Sequence, residues 1–305
     1  GGGYNNCTTG VRSAIAGGGY NRAFGYEAFV GAGGSNKAYG NFSGAVAGSG
    51  NKIYGCNSLV GSGSANRVQP DWTSVVGGQG NQALSGRNGV ITGGAENTLS
   101  ANSDSFIGAG KCNLAKNCDR MAILTGLCNT VAGDGAVILG GSCNIACGLD
   151  TFIGTGHCNE VCDTSSRSAV VAGLRNVATG FAHSFVGGGV DNMVQLSASF
   201  IGAGVNNKIC CSSHCYVSSE EQKMPGIIGS GVFNTLSAGG AGIFTGQCNR
   251  VLSRQGLILG GKVNTIDDTG AFNSAIVSGR YNRLGECESF IGGGFTNTLS
   301  GCRGF

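Results

Sequence analysis

The chain has 305 residues, of which 60 are Gly and only 2 are Pro, with 15 Cys, 11% charged residues and a formal net charge of +3. Glycine at this level without a strict every-third period excludes a collagen-type helix, and the steady supply of Val, Ile, Leu and Phe excludes a disordered chain. So weak a charge balance gives no reason to expect a nucleic-acid partner, and no apolar run is long enough to supply a membrane span in this segment.

From the N-terminus onward the sequence is one repeat. Asn recurs at Asn21, Asn36, Asn51 and Asn66 and on to Asn297, mostly in steps of 15 or 16 residues, and each has a Gly three residues before it, from Gly18 to Gly294. Six residues before the Asn stands a branched residue such as Ile15, Val30, Val60 or Ile291, with Ala45 the one unbranched case. Two after it the residue is apolar (Ala23, Ile53, Val68), and eight before it the residue is small (Ser13, Ser43, Ser58), Met121 being the outlier. The inward offsets alternate with a period of two, which predicts two short strands per unit and no helix. The Gly supplies a backbone position with positive φ, and the Asn is expected to tolerate left-handed geometry while its amide pairs with that of the next unit.

A unit this short cannot bury its own apolar face, so the units must stack. The predicted fold is all-β: a parallel β-solenoid of about 18 coils, forming a single array over residues 1–305 with a thin Ile/Val core. At roughly 4.8 Å per coil the array makes a rod of about 85 Å. The run Ser13-Ala14-Ile15-Ala16-Gly17-Gly18-Gly19-Tyr20-Asn21-Arg22-Ala23 resembles the head repeats of YadA-like trimeric autotransporter adhesins. Similar repeats occur in viral fibre and hemagglutinin-like proteins. The resemblance implies a left-handed β-roll, often a homotrimer, at a cell or virion surface.

Solenoids ordinarily protect their end coils with polar caps, and no such segment is legible here. The expected partner is therefore another copy of the chain, as a homotrimer, a longer array or a head-to-tail filament. One step, from Asn207 to Asn234, is longer than the rest and places a loop insertion at 208–226. Its residues His214, Glu220, Glu221 and Lys223 are candidates for recognition of a glycan or protein receptor, because projecting loops carry recognition more often than scaffold coils do. His214 beside Cys210, Cys211 and Cys215 offers zinc-type ligands, but the spacing is too tight for one tetrahedron, so no metal and no cofactor is expected.

Immediately after the Asn, the first four full coils carry Arg22, Lys37, Lys52 and Arg67, an outward ladder of like charges suited to a polyanion such as an acidic glycan, or to Glu27 and its equivalents in a neighbouring chain. Fifteen Cys against three His indicate disulfides in an oxidising, extracellular compartment, the odd count leaving a thiol over. Equivalent residues of adjacent coils lie about 4.8 Å apart, within the Cα range a disulfide needs. Repeat register therefore pairs Cys112 with Cys128, Cys143 with Cys158, Cys147 with Cys162, and Cys287 with Cys302. Catalytic motifs fail: Gly260-Gly261-Lys262-Val263 lacks the hydroxyl residue of a phosphate loop, and His157, His183 and His214 occupy unrelated repeat positions. The expected function is a non-enzymatic, extracellular structural or adhesive fibre. The alternatives are an ice- or surface-binding solenoid, whose required Thr array is interrupted here (Thr98, Thr130, Thr235, Thr265 and Thr298 share one offset), and a solenoid glycan-active enzyme.

Overall fold

A computed structural model describes residues 2–162, 165–180, 182–210, 224–267 and 270–304. Every regular element among them is a short β-strand, and no helix is long and apolar enough to cross a membrane. The chain forms two compact units, Gly1–Cys147 and Gly148–Phe305.

Each unit is a parallel β-solenoid. In the first, the strands that follow the Asn stack in order, Arg22–Ala23 on Lys37–Ala38, that on Lys52–Ile53, and that on Arg67–Val68, always in parallel register. The strands that precede the Gly form a second stack, as where Phe29–Val30 pairs with Ala14–Ile15 on one side and Gly44–Ala45 on the other. The second unit repeats both stacks, for example Val177–Ala178 on Met193–Val194 and Phe185–Val186 on Phe200–Ile201. The two strands per coil expected from the alternation are thus present. A third ladder, one residue wide, was not legible as a strand: the residue two before the Asn bridges its equivalents in adjacent coils, as in Gly19, Gly34 and Ser49.

The interior explains the repeat. The branched residues at Val30, Val60, Ile107 and Ile201 and the apolar residues at Ala23, Ile53, Val68 and Ile209 are fully buried. Burying each Val or Ile side chain contributes about 1.5–3 kcal/mol. Ala45, the exception at its offset, shares its coil with the larger Ile53, so one inward position compensates the other in volume. The repeat Asn residues are buried with them, Asn36, Asn66 and Asn192 having no exposed surface.

A buried amide must satisfy its polar atoms, and the coil is built to do so. Asn66 donates from Nδ2 to the Ser62 carbonyl of its own coil (3.1 Å), to the Gly78 carbonyl of the next (2.9 Å) and to Asn51 Oδ1 (3.2 Å), while its Oδ1 accepts the Asn81 backbone N–H at 3.0 Å. The expected amide ladder exists, but its principal rungs run from side chain to backbone. The left-handed geometry expected at the Asn falls instead on the residue before it: Tyr20, Ser35 and Ala65 have φ of 58°, 58° and 56°. That turn points the following Asn inward. The Gly three before the Asn is required twice over. At Gly48 φ is 98°, and a Cβ there would lie 2.0 Å from the Gly63 carbonyl oxygen and 2.9 Å from Asn51 Nδ2.

The change from 15- to 16-residue steps also has a local cause. Where the step lengthens after Asn81, the strand extends to Gln82–Arg87 and pairs with Thr98–Ser103 through register shifts between Ala83 and Ser85 and between Ser85 and Arg87. The extra residue is absorbed as bulge, leaving the inward pattern in phase. Across the insertion, Lys208–Ile209 stacks in register on Thr235–Leu236, so the coil register is kept on both sides of it.

Candidate functional site

With the interior committed to packing, chemistry is confined to outward positions, and the two stacked sheets present different exteriors. On the sheet after the Asn, Arg22, Lys37, Lys52 and Arg67 stand in consecutive register partners of the first unit, as the spacing predicted. Two residues on from each cation, just past the end of its strand, come Phe24, Tyr39 and Tyr54. Their rings stack at centroid separations of 5.2 and 4.9 Å, with interplanar angles of 15° and 11°. The Arg67 guanidinium covers the open end of the stack, 5.5 Å from the Tyr54 ring centroid. The aromatic column was missed at the sequence level although it shares one repeat offset, and that offset was the available signal.

The basic column has no internal counter-charge among the described residues. Other arginines of the chain are paired: Arg120 with Asp134 at 2.7 Å, Arg175 with Asp191 at 2.6 Å and Arg303 with Glu288 at 2.9 Å. Among the described residues no carboxylate pairs with Arg22, Lys37, Lys52 or Arg67. Glu27, the expected partner from a neighbouring chain, is already engaged: Arg12 of its own chain holds it at 3.0 Å. Between residues 1 and 70 Glu27 is the only carboxylate against five cations.

The second unit places other residues in the equivalent column. There Lys208, Thr235, Arg250, Thr265, Arg283 and Thr298 follow one another in register, cations alternating with threonines. Arg283 is neutralised by Asp267 at 2.5 Å.

The sheet before the Gly is apolar outside as well as inside. From the Asn36 coil onward each coil carries a bulky apolar residue seven or five positions before the Asn, beginning with Phe29, Val46, Leu59 and Val76, all more than a third exposed. Where the bulky residue is a Phe, the residue two along is Gly and the ring leans over it: a Cβ on Gly31, Gly108 or Gly202 would lie 3.3–3.4 Å from the Phe ring edge. In the second unit Phe185 and Phe200 stack at 5.2 Å with their planes 4° apart. Neither outward offset carries a charged residue in any coil.

The cysteine register is shared, with differing geometry. Cys112 and Cys128 occupy equivalent left-handed positions (φ 56° and 54°), and the Cys128 N–H donates to the Lys111 carbonyl at 2.9 Å. Cys112 donates its thiol proton to Glu96 at 3.2 Å, and this bond is the first cause holding that thiol above its ordinary pKa. Cys248 has the same offset and was overlooked. The sulfurs of Cys287 and Cys302 face each other across adjacent coils at 2.8 Å, and their hydrogen bond is the first cause raising the Cys287 thiol. The expected pairs Cys143 with Cys158 and Cys147 with Cys162 each take one residue from either unit, and all four carry reduced thiols in this structure. His214, Glu220, Glu221 and Lys223, the insertion candidates, lie outside the described residues, as do Cys211 and Cys215.

The architecture is that of stacked-coil solenoid repeat proteins generally. No protein-family model and no curated protein matches the chain.

Proposed function

We propose that this chain is a non-enzymatic, extracellular structural or adhesive fibre protein, a repeat scaffold that associates with copies of itself and presents its remaining surface for attachment at a cell or virion surface. The observation that carries this reading is the outward apolar column, Phe29, Val46, Leu59 and Val76 in the first unit and Phe185, Phe200 and Phe244 in the second. None of these residues serves the coil's own core. Apolar side chains repeated along an uncharged face are the surface of an interaction site and not of a solvated monomer.

A second copy is the fitting occupant, because a repeating face is met along its whole length only by another repeat at the same coil spacing. The resemblance to trimeric adhesin heads and viral fibres supports the same assignment. Electron microscopy and light scattering of native material test it. Ordered oligomers or filaments are expected, dispersed by Phe29→Lys combined with Leu59→Lys. A monodisperse monomer overturns the reading.

A further inference from the structure

We infer that the outward strip of Arg22, Lys37, Lys52 and Arg67, with Tyr39 and Tyr54 beside it, is a binding site for an acidic polysaccharide carrying one carboxylate on every sugar, a polyuronate. This gives the adhesive half of the proposed function its ligand class and rests on that reading only for its biological setting.

Pitch is the first ground. The four cations are consecutive register partners, so they recur at one coil rise, about 4.8 Å. A pyranose unit spans a similar length, so each sugar of a chain laid along the stack comes level with one cation, its carboxylate turned to one edge of the chain or the other. Long Lys and Arg side chains reach either edge of the glycan ribbon.

Charge is the second. These cations repel one another along the column and have no carboxylate partner among the described residues, in contrast to Arg12, Arg120 and Arg175. A ligand with evenly spaced negative charge removes that repulsion on binding. The strip is also bounded: the same column holds Cys7 in the coil before Arg22 and Gln82 in the coil after Arg67.

The aromatic column decides between polyanions. A single-stranded nucleic acid needs exposed ring faces on which bases stack. Here the rings of Phe24, Tyr39 and Tyr54 cover one another, leaving their edges and the two phenol hydroxyls to the outside. The phenol hydroxyls can hydrogen-bond the hydroxyl, ring and carboxylate oxygens of sugars, and the electropositive ring edges favour the same oxygens. The two columns lie two residues apart along the chain, at most about 6.6 Å, so one glycan chain can lie against both.

Titration of the full chain with oligogalacturonate tests the site, with a neutral glucan, a heparin-type sulfated glycan and oligothymidylate of matched length as comparisons. Oligogalacturonate is expected to bind tightest, with affinity falling with salt at a log–log slope of roughly −3, about −0.7 for each of the charges engaged. Replacing the four cations by Gln is expected to weaken it by about 100-fold or more at low salt. Tyr39→Leu with Tyr54→Leu should weaken binding at an unchanged salt slope. Lys208→Gln with Arg250→Gln, in the equivalent column of the second unit, should leave it unchanged. Circular dichroism confirms that each variant keeps its strands. Equal binding of oligothymidylate or of the sulfated glycan, an equal loss from the Lys208/Arg250 pair, or no binding by the folded chain overturns the site. Loss of glycan binding with filaments intact removes this site alone, whereas glycan binding by a dispersed monomer keeps the site and removes the fibre.

Discussion

The two sheets of each coil share an interior and differ outside. Behind Phe29–Val30 and behind Lys37–Ala38 lie the same kinds of buried side chain, Val30 and Ala38, around the same buried Asn36. Outside, the first sheet shows Phe29, Leu59 and Phe106, and the second shows Lys37, Arg67 and Leu114. The coil cannot be the cause of this difference, because outward residues contribute nothing to its core. On the function proposed above, the exterior that stays apolar is the face for association, while the one that changes from basic to threonine-rich is free to differ from one stretch of coils to another.

Interior substitutions should break both sheets at once. Gly48→Ala places a Cβ on the Gly63 carbonyl at a φ no other residue adopts comfortably, and at least about 4 kcal/mol of stability should be lost in denaturant unfolding. Asn66→Ala strips the partners from the Asn81 N–H and the Ser62 carbonyl, while the Gly78 carbonyl keeps the Ser64 N–H, costing about 3 kcal/mol at about 1.5 per buried group left unsatisfied. A mild transition for either variant would mean that the ladder is not what holds the stack.

Next in size is the staple at the turn. Peptide mapping of native material without reduction should recover Cys287 and Cys302 as one cross-linked product, and the chain-entropy model gives about 3 kcal/mol or slightly less for a loop of this length. Free alkylated thiols at both positions would leave that turn unstapled.

Exterior substitutions should separate the sheets. Phe200→Ser should change the unfolding midpoint little, within about 0.5 kcal/mol, while lowering self-association seen by light scattering. Equal effects on folding and association would erase the distinction between interior and exterior. The smallest effect belongs to the exposed pair Arg175–Asp191. The Arg175 hydrogen bond holds the Asp191 carboxyl below its ordinary pKa, so any stabilisation is present above the usual carboxylate range and lost as pH falls through the lowered value. Asp191→Asn should remove that acid-side dependence and leave stability at neutral pH nearly as it was, which a pH series of thermal melts would check.

Much of this was legible without coordinates, for a physical reason. A coil that repeats its neighbour has the same environment at each offset, so the recurring Gly18, Asn21 and Ile15 pattern states the buried set directly, and the Arg22 to Arg67 and Cys287 to Cys302 registers follow from it. What the repeat could not say is how each offset is met in space. The left-handed turn belongs to Tyr20 and Ser35 instead of the Asn, and the amide that follows reaches two carbonyls, as Asn36 does those of Ala32 and Gly48. Glu27 is taken by Arg12 in its own chain, since side chains on the turn reach the next coil. Only the stacking brought Tyr39 onto Tyr54, aimed Cys112 at Glu96 and laid the Phe29 ring over Gly31. Periodicity determines which residues share a row; tertiary packing decides what each side chain in that row touches.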